Sequence, residues 1–398
     1  MNKSLTRWTL LSLTILCFAA CKQDQIEETV YHYYPEDFEV LSRHLNIPSQ
    51  PLDYSPALPA HLNGFSVGVG GASNDLATLG RVIFYDKHVS SNGEVSCASC
   101  HKQELGFADD KAFSDGVDDE VTERNSLALG AFVSFRRYYD SVIGGSRAGF
   151  FWDEGAPLLE DQAKLTIENS KEMNMDLNEL VHIMNDLEYY EILFKKAYGD
   201  EGEITPDRIT LAVSEFVNVM ISADSPFDRA HPNSAAPSQL NSDWEGFSPA
   251  QNRGKMVFVD NCSSCHGFSL SPAFAFDANV AQTVANNGLD ASYTDNGVAE
   301  VTGFSGDNGK FKVPLLRNVE LTGPYMHDGR FETLEDVVDH YSEGIQFHPN
   351  LDDKLRNGNQ ARQMNFSDQE KSDLIEFLKT LTDETMITAE RFSDPFKS

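Results

Sequence analysis

The chain carries Cys97-Ala-Ser-Cys100-His101 and, far downstream, Cys262-Ser-Ser-Cys265-His266. C-x-x-C-H is the attachment pattern of c-type haem. Two thiols three positions apart bond covalently to the vinyl groups of one porphyrin, and the next His offers a neutral imidazole to the iron. The competing use of the same cysteines is one structural zinc between two C-x-x-C knuckles. Zinc needs no His directly after each knuckle and would leave both without a role. The pattern therefore predicts two covalently bound haem c groups, with His101 and His266 as proximal ligands.

A length of 398 residues suffices for two domains with their own cores. The net charge of −31, from 31 basic and 62 acidic residues, argues against nucleic acid, whose phosphates it would repel. It suits a basic electron-transfer partner steered by long-range attraction, and equally a plain solvated surface. Lys3 and Arg7 followed by the apolar run Trp8–Ala20 have the layout of an export signal, too short for a membrane span. The run ends Phe18-Ala19-Ala20-Cys21, similar to a bacterial lipobox except for Phe18, which predicts a lipid on Cys21. An ordinary cleaved signal peptide is the alternative. Lys22, in place of a retention Asp, favours the outer membrane. Of the six cysteines, Cys17 and Cys21 belong to this segment and four to the haem motifs, which leaves none for a disulfide.

Residues 22–60 are polar and read as a tether with a loosely packed arm. Gly68-Val-Gly70-Gly71 reads as a loop. Leu76, Leu79, Val82 and Ile83 recur at helical spacing before the first motif. Residues 102–124 read as a long functional loop. Helical patterns return at Leu158–Ile167, Leu177–Leu193 and Asp207–Val219. Residues 222–248, with Pro226, Pro232 and Pro237, read as a linker. Ser248-Pro249 opens a helix into the second motif, residues 268–310 read as a loop, and Ser367-Asp-Gln-Glu370 caps a last helix. No alternating strand pattern occurs. The expectation is a mainly helical fold of two cytochrome c-like haem domains with long loops.

Further stretches carry a resemblance. They are Leu79-Gly-Arg-Val-Ile-Phe-Tyr-Asp86, Arg124-Asn125, Phe151-Trp152-Asp153, Gln162-Ala163, Asn169 to Glu172-Met173, and Leu316-Arg317-Asn318 through Thr322-Gly-Pro324 to Gly329. Over roughly residues 60–385 the chain resembles the bacterial di-haem cytochrome c peroxidases and their MauG-type relatives. The resemblance implies that His101 serves the peroxide-reacting haem and that Glu172 is its distal acid–base group. It implies that Trp152 lies between the haems as an electron relay. Asn125, with the carbonyls of Thr322 and Pro324, would hold one Ca²⁺. The division that follows is an export signal over 1–20, a lipidated tether and arm over 21–60, and a peroxidatic domain over 61–225. A linker over 226–248 and an electron-transfer domain over 249–398 complete it.

Two departures bear on mechanism. Many of these peroxidases close the first iron with a His from the loop after the motif, yet no His occurs here between His101 and His182. The first iron is expected to be open to peroxide without reductive activation. The peroxidases also supply a distal Met to the second haem, where this chain has Tyr341. Leu334, Val337, Val338 and Tyr341 share one helix face, while His340 points about 100° away. Met326 and Met364 remain rival ligands. MauG-type proteins use such a Tyr, whose phenolate stabilises Fe(III). Asp153-Glu154-Gly155-Ala156 also replaces the more usual Asp-Gly-Arg-Ala.

Three functions compete. The first is an exported peroxidase that reduces H₂O₂, fed by a small cytochrome c or another periplasmic donor. The second uses H₂O₂ to oxidise side chains of a partner protein. The third is a non-catalytic carrier, which would have no need of Glu172. The resemblance implies a homodimer. The expected location faces the periplasm, on the outer membrane through the lipid on Cys21.

Overall fold

A computed structural model describes residues 32–55, 57–61, 73–130, 149–199, 201–232, 241–266 and 283–397. The export signal, Cys21 and the Gly68–Gly71 stretch lie outside the described residues. The fold is mainly helical, and the strands described are four two-residue pieces in two antiparallel pairs.

Helix α1 (Pro35–His44) precedes α2 (Asn74–Tyr85), whose first turn is capped by Ser73 accepting from Leu76 N–H. Leu79, Val82 and Ile83 of α2 are fully buried. Each such side chain stabilises the fold by roughly 1.5–3 kcal/mol. Helices α3 (Leu159–Glu168), α4 (Leu177–Asn185), α5 (Glu188–Tyr198) and α6 (Pro206–Val219) follow; α5 and α6 pack on α2, and α3 and α4 pack on α6. The single helix expected over Leu177–Leu193 is two, because Leu187 takes up an extended conformation between α4 and α5. In the second half α7 (Pro249–Asn261), opened by a Ser248/Gln251 capping box, lies against α9 (Asp368–Lys379). Between them α8 (Leu334–Asp339) runs on into a π-helical turn over His340–Gly344.

Each helix that leads into a haem motif approaches its partner through a glycine. A Cβ on Gly80 of α2 would lie 1.9 Å from the Ala212 carbonyl oxygen of α6. One on Gly254 of α7 would lie 1.8 Å from that of Asp373 in α9. Only glycine permits either crossing. The two halves thus use one packing device twice, and each places a C-x-x-C-H at the end of a buried pair.

Three expectations are corrected. The arm is well packed: Tyr33, Leu41, Leu45, Ile47 and Tyr54 are buried in the first-half core. The linker contains a short helix, Pro226–Ala230, whose Asp228 forms a buried bidentate pair with Arg317 at 2.6 and 2.9 Å. Residues 383–397, expected with the second domain, cross back onto the first. Met386 and Phe392 pack with Phe84, Phe107 and Phe216, and Arg81 Nε donates to the Ser393 carbonyl at 2.6 Å.

Candidate active site

Cys97–Cys100 form a single helical turn closed by a Ser96/Ser99 capping box. The turn over Lys102–Ala108 aims the Phe107 carbonyl at His101, whose Nδ1 donates to it at 2.8 Å. That bond fixes the tautomer and leaves the Nε2 lone pair free for a metal. Burial holds the imidazole pKa below its ordinary value, which keeps it neutral. Val95, Cys97, Cys100, His101, Glu172 and Trp152 line one cavity. Among its described lining residues, His101 is the single imidazole.

Glu172 stands in the loop between α3 and α4. Its Oε1 accepts from Asn169 Nδ2 at 2.7 Å, and its N–H donates to the Asn169 carbonyl at 3.0 Å. Burial pushes the carboxyl up to about 7, against the opposing pull of Asn169 and Thr166. A group poised near neutrality can take a proton and return it. The peroxide reaction rate is expected to rise between about pH 6 and pH 8 as Glu172 becomes a carboxylate, readable by stopped-flow. For stability the sign is opposite. The folded chain holds this proton more tightly than the unfolded one, whose Glu has an ordinary value of 4.5. The contribution is complete below that value and lost as pH rises through about 7.

The second motif follows α7, with His266 N–H donating to the Cys262 carbonyl at 3.0 Å. Burial depresses the His266 pKa to about 4, partly offset by the Pro314 carbonyl. Its buried Nδ1 forms no hydrogen bond of normal geometry. Cys262, Cys265 and His266 line a second cavity with Leu334, Val337 and Tyr341, three residues of the face read from the sequence. Tyr341 sits in the π turn, a local widening frequent at functional sites. Burial raises its phenol pKa, while a hydrogen bond from the Asn287 side chain lowers it. His340 points elsewhere, with Nε2 3.1 Å from the Asn287 carbonyl. Met326 and Met364 line the same cavity as Tyr341, and Asn287 Nδ2 donates to Met326 Sδ at 3.4 Å.

Each cavity presents two thiols, the neutral imidazole of its own motif and mostly apolar walls, a donor set that fits a thioether-linked haem, and the second is also lined by His327, stacked on Phe311 at 3.7 Å. Asn125, Ser126, Leu127 and Trp152 line both cavities. Trp152 is 8% exposed, and its Nε1 donates to the Asn125 carbonyl at 2.8 Å. Asn125, Thr322 and Pro324 line the second cavity together. Asn125 Nδ2 donates to the Lys111 carbonyl at 3.1 Å, so its Oδ1 remains available as a hard oxygen donor. Among the described residues no group of three His, Cys, Asp or Glu could hold a metal ion.

Charged partners around Trp152 were not legible in the sequence. Arg124 donates through Nε and Nη2 to Asp295 at 2.7 and 2.8 Å, through Nη2 to Glu300 at 3.1 Å, and through Nη1 to Asp153. One guanidinium thereby ties the Trp152 segment to the second half. Arg124→Ala is expected to cost about 2 kcal/mol in chemical denaturation. Glu154, at the departure from the usual pattern, faces Lys312 with Oε1 3.7 Å from Nζ, and the Lys312 N–H donates to the Trp152 carbonyl at 2.7 Å. The nearest signals were the Glu154-Gly155 departure, which adds a carboxylate and removes the usual Arg, and the Arg124-Asn125 pair, whose partners are remote in sequence.

Two C-x-x-C-H cavities meeting at one tryptophan, with an acid–base group in one of them, define a di-haem c-type oxidoreductase. The comparisons agree. Residues 74–236 match the family of di-haem cytochrome c peroxidases. The methylamine utilization protein MauG of Methylophilus methylotrophus is 33% identical over 312 residues, 77% of this chain and 82% of that protein. The cytochrome c551 peroxidase of Nitrosomonas europaea is 31% identical over 310 residues, 77% of this chain and 80% of its own length. A solved MauG-like protein associated with microbial copper homeostasis superposes with a TM-score of 0.65 at 31% identity, covering 86% of this chain and 98% of its own. The diheme peroxidase BthA of Burkholderia thailandensis shares the fold with a TM-score of 0.59 at 19% identity, covering 81% of this chain and 90% of its own. The chain belongs to the di-haem cytochrome c peroxidase family, which includes the MauG proteins. It is a peroxidase-type oxidoreductase with two c-type haems and H₂O₂ as substrate.

Proposed function

We propose that the protein reduces H₂O₂ to water at the haem held by Cys97, Cys100 and His101, with electrons delivered by a small cytochrome c-like donor through the second haem. The observation that supports this most is Glu172, poised near neutral pH in the wall of the cavity that contains His101. When bound, the first haem supplies an iron that accepts the peroxide oxygen and two electrons' worth of redox change. Glu172 takes the proton from the near oxygen and returns it to the departing one, and Asn169 holds its carboxyl in place. His101, locked by the Phe107 carbonyl, keeps its lone pair directed into the cavity. Trp152 offers its indole between the two cavities, which divides one long electron transfer into two shorter ones. Asn125 with the Thr322 and Pro324 carbonyls would hold Ca²⁺ and stiffen that junction. Our reading includes a lipid on Cys21, a periplasm-facing location at the outer membrane, and a homodimer.

A second reading rests on Tyr341, which stands in the second cavity with His266. As a phenolate ligand it would favour the oxidised iron, and the equivalents from H₂O₂ would then be drawn from side chains of a partner protein.

Low-temperature EPR of the oxidised holoprotein tests the common core of both readings. The expected spectrum has a high-spin ferric signal beside a low-spin one, the former lost on adding one equivalent of H₂O₂. Two low-spin signals indifferent to peroxide would sink both as stated and leave either a sixth ligand that closes the first iron until reduction or an electron carrier.

A further inference from the structure

Behind the Cys97 wall, outside the peroxide cavity, lies a buried redox-competent cluster that the mechanism above does not use. Tyr190 is fully buried and Tyr189 is 3% exposed. Their ring centroids are 4.6 Å apart, and both hydroxyls donate to the same oxygen, Asp86 Oδ2, at 2.6 and 2.9 Å. The other Asp86 oxygen accepts from the backbone N–H of His88 at 2.9 Å and from its Nδ1 at 2.7 Å. Asp86 itself is 3% exposed, whereas the His88 side chain is 54% exposed. On the inner side, Tyr190 and Val95 belong to the core cluster against which Cys97 packs. On the outer side, the Tyr189 ring stands 5.4 Å from that of His44, which is exposed on α1.

A tyrosine is oxidised readily only if its phenolic proton has an acceptor at the moment the electron leaves. A carboxylate at 2.6 Å is such an acceptor, and in this buried setting the hydrogen bond to it is charge-assisted. Trp152 differs, because its Nε1–H faces a peptide carbonyl that cannot take up a proton. The structure thus pairs an electron relay without a proton acceptor and a tyrosine pair with one.

We propose that Tyr190, Tyr189 and Asp86 form a second oxidation site, through which an oxidising equivalent leaves the first haem past Cys97 and is filled near the surface by a diffusible phenol. In the first step Tyr190 gives one electron to the oxidised haem and its O–H proton to Asp86, leaving a neutral tyrosyl radical and a carboxylic acid. In the second, Tyr189 gives one electron to Tyr190. Asp86 returns its proton to Tyr190 as it takes that of Tyr189, which the shared Oδ2 permits. A phenol then supplies one electron while Asp86 returns its proton to Tyr189, restoring Tyr189 and ionised Asp86, and the phenol's own proton passes to solvent, where it balances the one taken up as peroxide oxygen becomes water at the first haem. Two such cycles account for the two electrons that one H₂O₂ removes. The inference rests on peroxide oxidising the haem at His101, and its test separates the two.

The full-length holoprotein is mixed with one equivalent of H₂O₂ without donor, freeze-quenched, and followed by EPR and haem absorbance. The expected result is an organic radical whose splitting changes when the protein contains ring-deuterated tyrosine. That signal falls to background in Tyr190→Phe and persists in Trp152→Phe. In Tyr189→Phe it persists, but oxidation of added phenol is lost. A parent protein whose haem absorbance responds to peroxide with no deuterium-sensitive radical overturns the relay alone. So does an undiminished radical in Tyr190→Phe. A haem absorbance that does not respond at all overturns the peroxidase reading and the relay with it.

Discussion

Glu172→Gln is expected to slow the reaction of the oxidised protein with H₂O₂ by about 10²–10⁴-fold, the usual worth of a positioned acid–base group. Gln preserves the volume of Glu172 and can still engage Asn169 across the 2.7 Å contact, so the cavity wall keeps its shape. What is lost is the ability to accept a proton, which Asn169 and Gln162 cannot replace because amides do not titrate in this range. Stopped-flow mixing with peroxide reads the effect directly. The dependence on pH near 7 should vanish in the same variant. A rate within threefold of the parent would remove Glu172 from the mechanism.

Tyr341→Met should raise the reduction potential of the second haem, a large step within the roughly 0.8 V range over which axial ligands move haem iron. A thioether stabilises the reduced iron, while a phenolate stabilises the oxidised one. The pocket already tolerates long sulfur-containing side chains, since Met326 and Met364 share its lining with Tyr341. Spectroelectrochemical titration gives the potential, and the ferric low-spin EPR signal should shift with the change of ligand. An unchanged potential and spectrum would show that Met326 or Met364 binds the iron instead. The variant also separates the two functional readings. Easier electron uptake from a small cytochrome would accompany the higher potential, whereas oxidation of a partner protein would be impaired.

Much of the scaffold was legible because its cause is local. Apolar spacing placed α2 from Leu76, Leu79, Val82 and Ile83, and the Ser248/Gln251 and Ser367/Glu370 boxes marked where α7 and α9 begin. The break between α4 and α5 was not legible, because the apolar period runs through it without Gly or Pro and only the backbone of Leu187 departs. The polar composition of the arm hid five buried anchors, Tyr33, Leu41, Leu45, Ile47 and Tyr54, whose spacing follows no single helical or strand period. At the site, the two haem motifs were fully readable, since covalent attachment demands a fixed spacing. Glu172 was not, for nothing in its own neighbourhood distinguishes it from a surface carboxylate. Only resemblance singled it out, and the physical reason, burial against Asn169 and Thr166, is tertiary. The Arg124 cluster was hidden for the same reason, with partners up to 176 positions away.

The return of residues 383–397 to the first half has a consequence for how the molecule holds together. Phe392 and Met386 complete a core that also contains Phe84 and Phe107, beside the first haem motif. The second half is therefore spliced into the first, between its body and its closing strap, and is not a bead on a string. Chain entropy then couples the two. Unravelling the second half frees the strap, and freeing the strap strips apolar cover from the first. Melting should accordingly be a single cooperative event, and the distance between the two metal centres belongs to that event as a whole.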